Sequence, residues 1–395
     1  MNSIHESNKI KLSVLPLSIF LSLCGVSASV SAGVIADKEA PSHQQADIKN
    51  TTVHFVCNTP GGCGETTTVN IQSPDKNGLS HNKYTTFETL NYSDVIIINN
   101  TLSNEVNGNR NLENSAAKII LNEVRSPSAS TFAGGLTLAG QNAHVIIANP
   151  SGINCNGCLF TDISHLTLTT GTPSFSENKL SGFKVVEGAI NIDKGRGSDG
   201  LQHKGRGSKT AYLDLFSEKL NVTGHLGAVG KEDLIGADDV MVVAGKYSIG
   251  LAAPGEVLDI KPLSYHFSRP DYFDSVDVSK MGAMYANKIK IIAEGNINNS
   301  NQIVASNMFK TFTHGNTNNT NGVIISKNVY LRSGGVINNT NGIINGDSYN
   351  EPPTVRINAG RLINDGGNVY ADSNDVKIFV GGVEMANQSK NPFKI

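Results

Sequence analysis

The chain has 395 residues, which exceeds the usual size of a single domain unless the fold is built from repeats. Its formal net charge is −2, so the composition gives no reason to expect a nucleic acid or an acidic surface as partner. A low charge, 40 glycines and no tryptophan fit a long all-β protein that is rich in turns.

Residues 1–32 have the pattern of a signal peptide. Lys9 and Lys11 supply a positive start, and an apolar stretch follows from Leu12 to Val26. Val30-Ser31-Ala32 then places small residues before Gly33, where we expect cleavage. The apolar stretch is too short to span a bilayer and no second one follows it, so we expect no transmembrane segment.

Residues 33–65 are expected to form an N-terminal extension or cap with a local cysteine pair, Cys57 and Cys63. Export places the mature chain in an oxidising compartment, where free thiols are unusual. Cleavage removes Cys24, and the remaining pair is Cys155 and Cys158. Four cysteines allow three pairings, and the sequence alone does not choose among them. We favour local structural disulfides over a redox dithiol or a four-thiolate zinc site.

From residue 66 to residue 255 the sequence consists of short β-runs with glycine or asparagine near their ends. The most informative run, Val145 to Ile147, stops at the turn Asn149-Pro150-Ser151-Gly152-Ile153. The alternation Leu166-Thr167-Leu168-Thr169 then predicts a second strand. No helix longer than two turns is predicted.

Residues 256–290 are expected to connect this region to asparagine-rich, filament-type repeats over residues 291–395. The motif Ile297-Asn298-Asn299 returns as Thr317-Asn318-Asn319 and as Ile337-Asn338-Asn339, with starts 20 residues apart. A degenerate copy begins 26 residues later at Ile363. A fixed period near 20 indicates a solenoid, and short β-runs between asparagine corners are typical of a parallel β-helix. Asparagines stacked in successive coils can form amide ladders.

The central region also resembles a known family. That family is the secretion domain of filamentous-haemagglutinin-type and haemolysin-type exoproteins of two-partner secretion (TpsA family). Its Asn-Pro-Asn-Gly turn precedes a Leu-Thr-Leu-Thr-Thr-Gly strand, as the turn at Asn149 does here. Asn109-Arg110-Asn111-Leu112 lies where the family has Asn-Pro-Asn-Leu. Arg110 and Ser151 depart from the two patterns, and the haemolysin branch shares the pair Cys155 and Cys158.

The resemblance covers roughly Val69 to Ala252. It implies an all-β fold, a right-handed parallel β-helix with an N-terminal cap and extra-helical hairpins. It implies an adhesin- or haemolysin-like exoprotein that reaches the cell surface or the medium through Sec, the periplasm and a dedicated outer-membrane transporter of the TpsB type. The POTRA domains of that transporter are the expected partner, and the surface of a host or rival cell is a further one. The residues expected to serve as transporter-recognition or turn motifs are Asn109, Asn111, Leu112, Asn149, Pro150, Gly152 and Ile153.

The alternative function is a polysaccharide lyase or hydrolase on the same scaffold. Asp238-Asp239 and Glu232-Asp233 are the tight acidic pairs in this region, but adjacent strand residues point to opposite faces. His81, His144 and His165 lack the spacing of metal ligands. We therefore expect no enzyme, no cofactor and no metal. The chain stops soon after the repeat begins, which leaves a short adhesin, a truncated gene and a fragment open.

Overall fold

A computed structural model of the chain describes residues 33–53, 64–207, 210–227, 238–252, 258–263, 273–347 and 351–385. These residues belong to one compact unit that runs from Ala32 to Ile395. The predicted signal peptide and the cysteines Cys57 and Cys63 lie outside the described residues.

Strands make up nearly all of the regular structure in these ranges, with a short 3-10 helix at Ser42–Gln44. The first half of the chain forms β1 (Val34–Ala36), β2 (Asp47–Val53), β3 (Gly64–Asn70), β4 (Leu79–Phe87), β5 (Val95–Asn100), β6 (Ile119–Val124), β7 (Ser130–Phe132), β8 (Gly135–Gly140), β9 (His144–Ala148), β10 (Ile153–Asn156), β11 (Leu159–Thr161), β12 (His165–Thr169), β13 (Thr172–Ser176), β14 (Lys179–Lys184), β15 (Ala189–Asp193) and β16 (Gly200–His203). The second half forms β17 (Tyr212–Ser217), β18 (Lys219–Val222), β19 (His225–Leu226), β20 (Asp239–Ala244), β21 (Tyr247–Gly250), β22 (Ile260–Pro262), β23 (Asp274–Val278), β24 (Ala283–Ala293), β25 (Asn296–Asn299), β26 (Gln302–Thr313), β27 (Thr317–Asn318), β28 (Val323–Asn338), β29 (Ile343–Gly346), β30 (Thr354–Ile363), β31 (Asn368–Ala371), β32 (Val376–Val380) and β33 (Val383–Glu384).

The strands wind into the parallel β-helix that the sequence predicts, and this β-helix has three faces. The first face stacks β4, β6, β9, β12, β17 and β20 and continues through segments of the long strands β24, β26, β28 and β30 to β32. The second face stacks β7, β10, β15, β18, β23, β25 and β27. The third stacks β3, β5, β8, β11, β16 and β19, and later β29 and β31.

The interior is filled by stacked columns of apolar side chains, and each coil contributes several of them. On the first face the register aligns Ile120, Val145, Leu166, Leu213, Val240, Ile289, Phe309, Val329 and Val355. All of them are buried in one continuous core. Because side chains alternate across a strand, a run with an apolar residue at every second position supplies one inward side chain after another.

Antiparallel strands close the N-terminal end of the β-helix. β2 pairs with β3 along its whole length, from Asp47 opposite Asn70 to Val53 opposite Gly64. β1 pairs with β4, and Val34 and Ala36 are buried there. An open edge of unpaired backbone groups would recruit other chains, so these strands protect the first coil.

A separate antiparallel sheet consists of β13, β14, β21 and β22. Its strands follow β12 and β20 of the first face in the chain, and the sheet covers that face from outside. Its side chains, such as Phe183 and Ile249, form a second buried cluster with Leu121, Ile146 and Phe216 of the first face. This cover explains why β9 is apolar on both sides. The predicted extra-helical hairpin is therefore part of the fold.

Stacked asparagines form the amide ladder that the repeat predicts. The Nδ2 of Asn299 donates to the Oδ1 of Asn319, and the same bond links Asn319 to Asn339 and Asn339 to Asn364, each 2.7 Å long. Asn319, Asn339 and Asn364 are buried. A second, less buried ladder joins Asn298 and Asn318 at 2.8 Å.

Two details differ from the sequence expectations. β23 and β24 pair with coils on both sides, so residues 274–290 continue the β-helix rather than connect two regions. The last repeat is also shifted by one residue, because Ile337 lies opposite Leu362 and Asn364 stacks on Asn339 after 25 residues. The apolar Leu362, not Ile363, takes the inward position.

Replacing Asn319 by alanine is expected to destabilise the protein by about 2–4 kcal/mol. The change removes bonds to Asn339, Gly322 and Ile343 and leaves the ladder interrupted in a buried site. Asn318→Ala is the matched control, since it removes a half-buried bond and should cost about 1 kcal/mol or less. Urea denaturation of both variants measures the difference, and equal costs would contradict the ladder's role.

Candidate functional site

The first asparagine turn follows β5 and holds two coil ends together. The side chain of Asn109 is fully buried and donates from Nδ2 to the carbonyls of Ile71, at 2.8 Å, and Asn99, at 3.1 Å. Its Oδ1 accepts the backbone N–H of Asn111 at 3.0 Å. One amide thus bonds three backbone groups, at Ile71, Asn99 and Asn111.

The other members of this turn divide between core and surface. Leu112 is 1% exposed and packs in the main core, and its N–H donates to the carbonyl of Asn109 at 2.9 Å. Asn111 is half-buried, and its Nδ2 donates to the Ile71 carbonyl at 3.2 Å. Arg110, which replaces the proline of the family pattern, is exposed.

The second asparagine turn joins β9 to β10 and repeats this chemistry. Asn149 is fully buried, and its Nδ2 donates to the carbonyl of Ser128 at 3.1 Å and to Oγ of Ser130 at 3.0 Å. Its Oδ1 accepts the N–H of Ser151 at 3.0 Å. Since Ser128 and Ser130 belong to the preceding coil, Asn149 ties its own turn to that coil.

The residues after Asn149 are fixed by backbone geometry and packing. Pro150 is half-buried, and Ser151 is exposed. Gly152 has a φ of 121°, which disfavours residues with a Cβ, and its N–H donates to the Asn149 carbonyl. Ile153 is fully buried and lies between Ser130 of β7 and Ile190 of β15.

A disulfide joins Cys155 and Cys158 at the corner between β10 and β11. Their Cα atoms are 5.2 Å apart, and both residues are buried in the main core. Gly157, between them, has a φ of 75°. The bridge therefore closes a tight corner, in line with a structural role.

The burial pattern separates the motif positions by what they can do. Asn109 and Asn149 are enclosed by the fold, so neither amide is available to a partner of the folded domain. Arg110 and Ser151, the two positions that depart from the family pattern, face solvent. The amides therefore hold the turns, and the exposed side chains of the two motifs lie around them.

A polar cluster that the sequence analysis missed lies on the outside of the first face. His144 of β9 and His165 of β12 stack with ring centroids 3.6 Å apart and planes at 7°. The Nε2 of His165 donates to Oδ2 of Asp214 in β17 at 2.7 Å. Thr167 donates to the same oxygen at 3.1 Å and accepts the Nε2–H of His144 at 2.8 Å.

This cluster has an unusual electrostatic setting. Burial, and then the charge of the neighbouring His165 ring, holds the pKa of His144 well below its usual range. His144 is therefore neutral near neutral pH. The spacing argument against metal ligands fails here, because ligand atoms of His144, His165 and Asp214 all lie within 4.8 Å of one another. Their positions in sequence gave no such signal, since only the inter-coil register brings them together.

His144 and His165 of this cluster line a cavity of about 940 Å³ between the first face and the extra-helical sheet. We call this cavity the outer groove. Its lining includes Lys76, Lys118, His144, His165, Glu177, Lys179 and Tyr212. His81 lies elsewhere and donates to Glu123 at 2.6 Å, while Phe175 stacks on its ring at 5.5 Å.

Asp238 and Asp239, the described acidic pair considered for catalysis, both bond to neighbouring coils of the β-helix. Asp238 accepts the N–H of Ala211 at 2.8 Å, and Asp239, the first residue of β20, pairs with Lys288 at 3.1 Å. The second pair, Glu232-Asp233, lies outside the described residues. In the part of the chain that is described, no helix has the length and apolarity to cross a membrane.

With the fold and its turns established, the chain can be compared with known proteins. It matches the TPS secretion domain family over residues 32–339. The chain therefore belongs to this family, whose domain occurs in two-partner secretion exoproteins such as filamentous hemagglutinin and hemolysin. Exoproteins of this kind are secreted.

Individual relatives agree with this assignment. "Toxin CdiA" of Yersinia pestis is 32% identical over 306 residues, which is 75% of this chain and 8% of that protein. "Filamentous hemagglutinin" of Bordetella pertussis is 35% identical over 184 residues, which is 45% of this chain and 5% of that protein. The chain thus spans less than a tenth of the length of these two relatives.

A solved structure confirms the fold. The crystal structure of a filamentous hemagglutinin secretion domain superposes with a TM-score of 0.58 and 23% sequence identity. The superposition covers 88% of this chain and all of the crystallised domain. At this identity, the likeness supports the β-helical architecture, and the family match carries the functional assignment.

Proposed function

We propose that this chain directs its own export from the periplasm, which it reaches through Sec, across a dedicated outer-membrane transporter of the TpsB type. The family match over residues 32–339 carries the proposal. It is supported by a signal-peptide pattern at residues 1–32 and by the capped β-helix that follows. The chain itself performs no catalysis and acts as an adhesin- or haemolysin-like surface protein, with a host or rival cell as its target.

Recognition by the POTRA domains of the transporter has a clear physical route. An extended segment of the exoprotein adds to a sheet edge of the receptor, and backbone hydrogen bonds supply much of the affinity. Such binding tolerates sequence variation, because most of the contacts are made by the main chain. The departures at Arg110 and Ser151 are therefore compatible with export by the same mechanism.

Co-expression with a transporter of this type from the same genome tests the proposal. We expect the chain in the medium when the transporter is present and in the periplasm when it is absent. A transporter without its POTRA domains is the matched control and should behave like no transporter. Equal amounts in the medium in all three cultures would overturn the assignment.

The polysaccharide lyase alternative predicts cleavage of pectin or glycosaminoglycans in the presence of Ca²⁺. The structure gives no support to this alternative. Asp238 accepts a hydrogen bond from Ala211 and Asp239 pairs with Lys288, so both carboxylates already bond within the β-helix. Incubation of the purified chain with both polymers distinguishes the two functions, and we expect no cleavage.

A further inference from the structure

We propose that His144, His165 and Asp214 form a binding site for a borderline divalent cation such as Zn²⁺, which would link three successive coils of the β-helix. The inference rests on the geometry of these three side chains and is independent of the export function. It concerns a cluster whose residues are 21 and 49 positions apart and meet only in the folded coils.

The register of the first face brings the three side chains together. His165 lies opposite His144 on one side and Tyr212 on the other. Asp214 stands two residues beyond Tyr212, opposite Thr167, so its carboxylate reaches back to the imidazole of His165. Neighbouring parallel strands are about 4.8 Å apart, a spacing that places side chains of adjacent coils within reach of one ion.

The three side chains are close enough to share one ion after a rearrangement of the rings. The three potential ligand atoms lie within 4.8 Å of one another. A tetrahedral Zn²⁺ with bonds of about 2.0–2.2 Å holds its ligand atoms roughly 3.3 Å apart. The two rings are stacked with their planes at 7°, so they would have to turn toward each other for a nitrogen of each to point at one ion.

The donor set selects the class of cation. Two imidazole nitrogens and one carboxylate suit Zn²⁺ and its transition-metal neighbours, whereas Ca²⁺ and Mg²⁺ prefer oxygen ligands. The ion would take the place of the proton that His165 now donates to Asp214. Thr167 donates to the same carboxylate and would keep it oriented, as partners of metal ligands commonly do.

The fourth ligand position has access to solvent. His144 and His165 line the outer groove, so a water molecule or a small anion can complete the coordination. The position of the ligands on β9, β12 and β17 means that a bound ion would join three coils. Because the unfolded chain lacks this arrangement, binding would stabilise the folded β-helix in proportion to the free cation concentration.

Calorimetric titration with Zn²⁺ tests the site in the mature chain, purified without a histidine tag and treated with EDTA. We expect one equivalent to bind and the melting temperature to rise with the Zn²⁺ concentration. His165→Gln and Asp214→Asn should each weaken binding at least about tenfold, the range seen when even outer partners of a metal are lost. His225→Gln, a half-buried histidine of β19 outside the cluster, is the matched control and should bind like the wild type.

Spectroscopy keeps the proposal testable if a variant does not fold. Cu²⁺ bound to the wild-type chain should show electron paramagnetic resonance couplings to two imidazole nitrogens. Co²⁺ should lack the strong ultraviolet band of thiolate ligands, which separates this site from one made by cysteines. Absence of saturable Zn²⁺ binding, thiolate bands, or unchanged binding in His165→Gln and Asp214→Asn would overturn the site.

Discussion

Gly140→Ala is expected to destabilise the protein by about 3–5 kcal/mol, among the largest effects of a single methyl group in this chain. Gly140 ends β8 with a φ of 76°, a conformation that disfavours alanine. A Cβ at this position would also lie 2.4 Å from the carbonyl carbon and oxygen of Asn100 and from the nitrogen of Thr101. The added Cβ therefore causes both a strained backbone conformation and a steric clash.

The surroundings of Gly140 prevent relief of this clash. The obstructing atoms are backbone atoms of the neighbouring coil, to which Asn100 adds three side-chain bonds. Its amide donates to the carbonyls of Ala117 and Gln141 and accepts the N–H of Ala117. Moving the coil aside would break these buried bonds, so the added methyl group cannot be accommodated by a flexible side chain.

Gly381→Ala separates the backbone cost from the packing cost. Gly381 has a φ of 59°, but a Cβ there would meet no atom within 4 Å. We expect a loss of about 1 kcal/mol, from the left-handed conformation alone. Urea denaturation of the two variants measures the difference, and a Gly140→Ala variant as stable as Gly381→Ala would show that the coil can move.

The sequence predicts the features of this fold that depend on local pattern. The repeat at Asn299, Asn319 and Asn339 sets the coil length, and the amide ladder follows because identical side chains recur at one position. The turns at Asn109 and Asn149 are also predictable from local sequence, because an asparagine side chain forms hydrogen bonds within its own turn. That these asparagines also link neighbouring coils is seen only in the structure, which shows the carbonyl groups that accept their hydrogen bonds.

Features that depend on register between coils of unequal length are not predictable from one sequence. The hairpin of β13 and β14 interrupts the chain between β12 and β15, so His165 and Asp214 meet across 49 residues. The pairing of β14 with β21 spans a longer separation still. A similar ladder at Asn154, Asn191 and Asn221 is not predictable from the sequence, because its spacings of 37 and 30 residues show no fixed period.

Asn149→Ala is expected to lower stability by about 2–4 kcal/mol and to reduce export only through that loss. The variant removes two donated bonds, to Ser128 and Ser130, and one accepted bond, from Ser151. The bond to Ser130 is buried and the Asn149 side chain is fully enclosed, so the Ser130 hydroxyl gains no water in exchange. A transporter that meets the folded domain has no access to the amide.

Ser151→Ala is the matched control for this turn. Ser151 is exposed and contributes one hydroxyl bond to the carbonyl of Ser126 at 2.8 Å, so the variant should lose about 1 kcal/mol or less. Because Ser151 lies on the accessible side of the turn, it is also a position where a bulky substitution tests recognition. Ser151→Trp should remain folded and lose export if the transporter contacts this surface.

Two measurements on each variant separate folding from recognition. The melting temperature reports the folded scaffold, and binding of the folded chain to purified POTRA domains, measured below that temperature, reports recognition. For Asn149→Ala we expect a lower melting temperature with wild-type affinity, since the amide is buried and the exposed surface of the turn is retained. A variant that melts like the wild type yet fails to bind and stays in the periplasm would instead make Asn149 a recognition residue. That outcome would require the transporter to engage the turn before the domain has folded, because only then is the amide accessible.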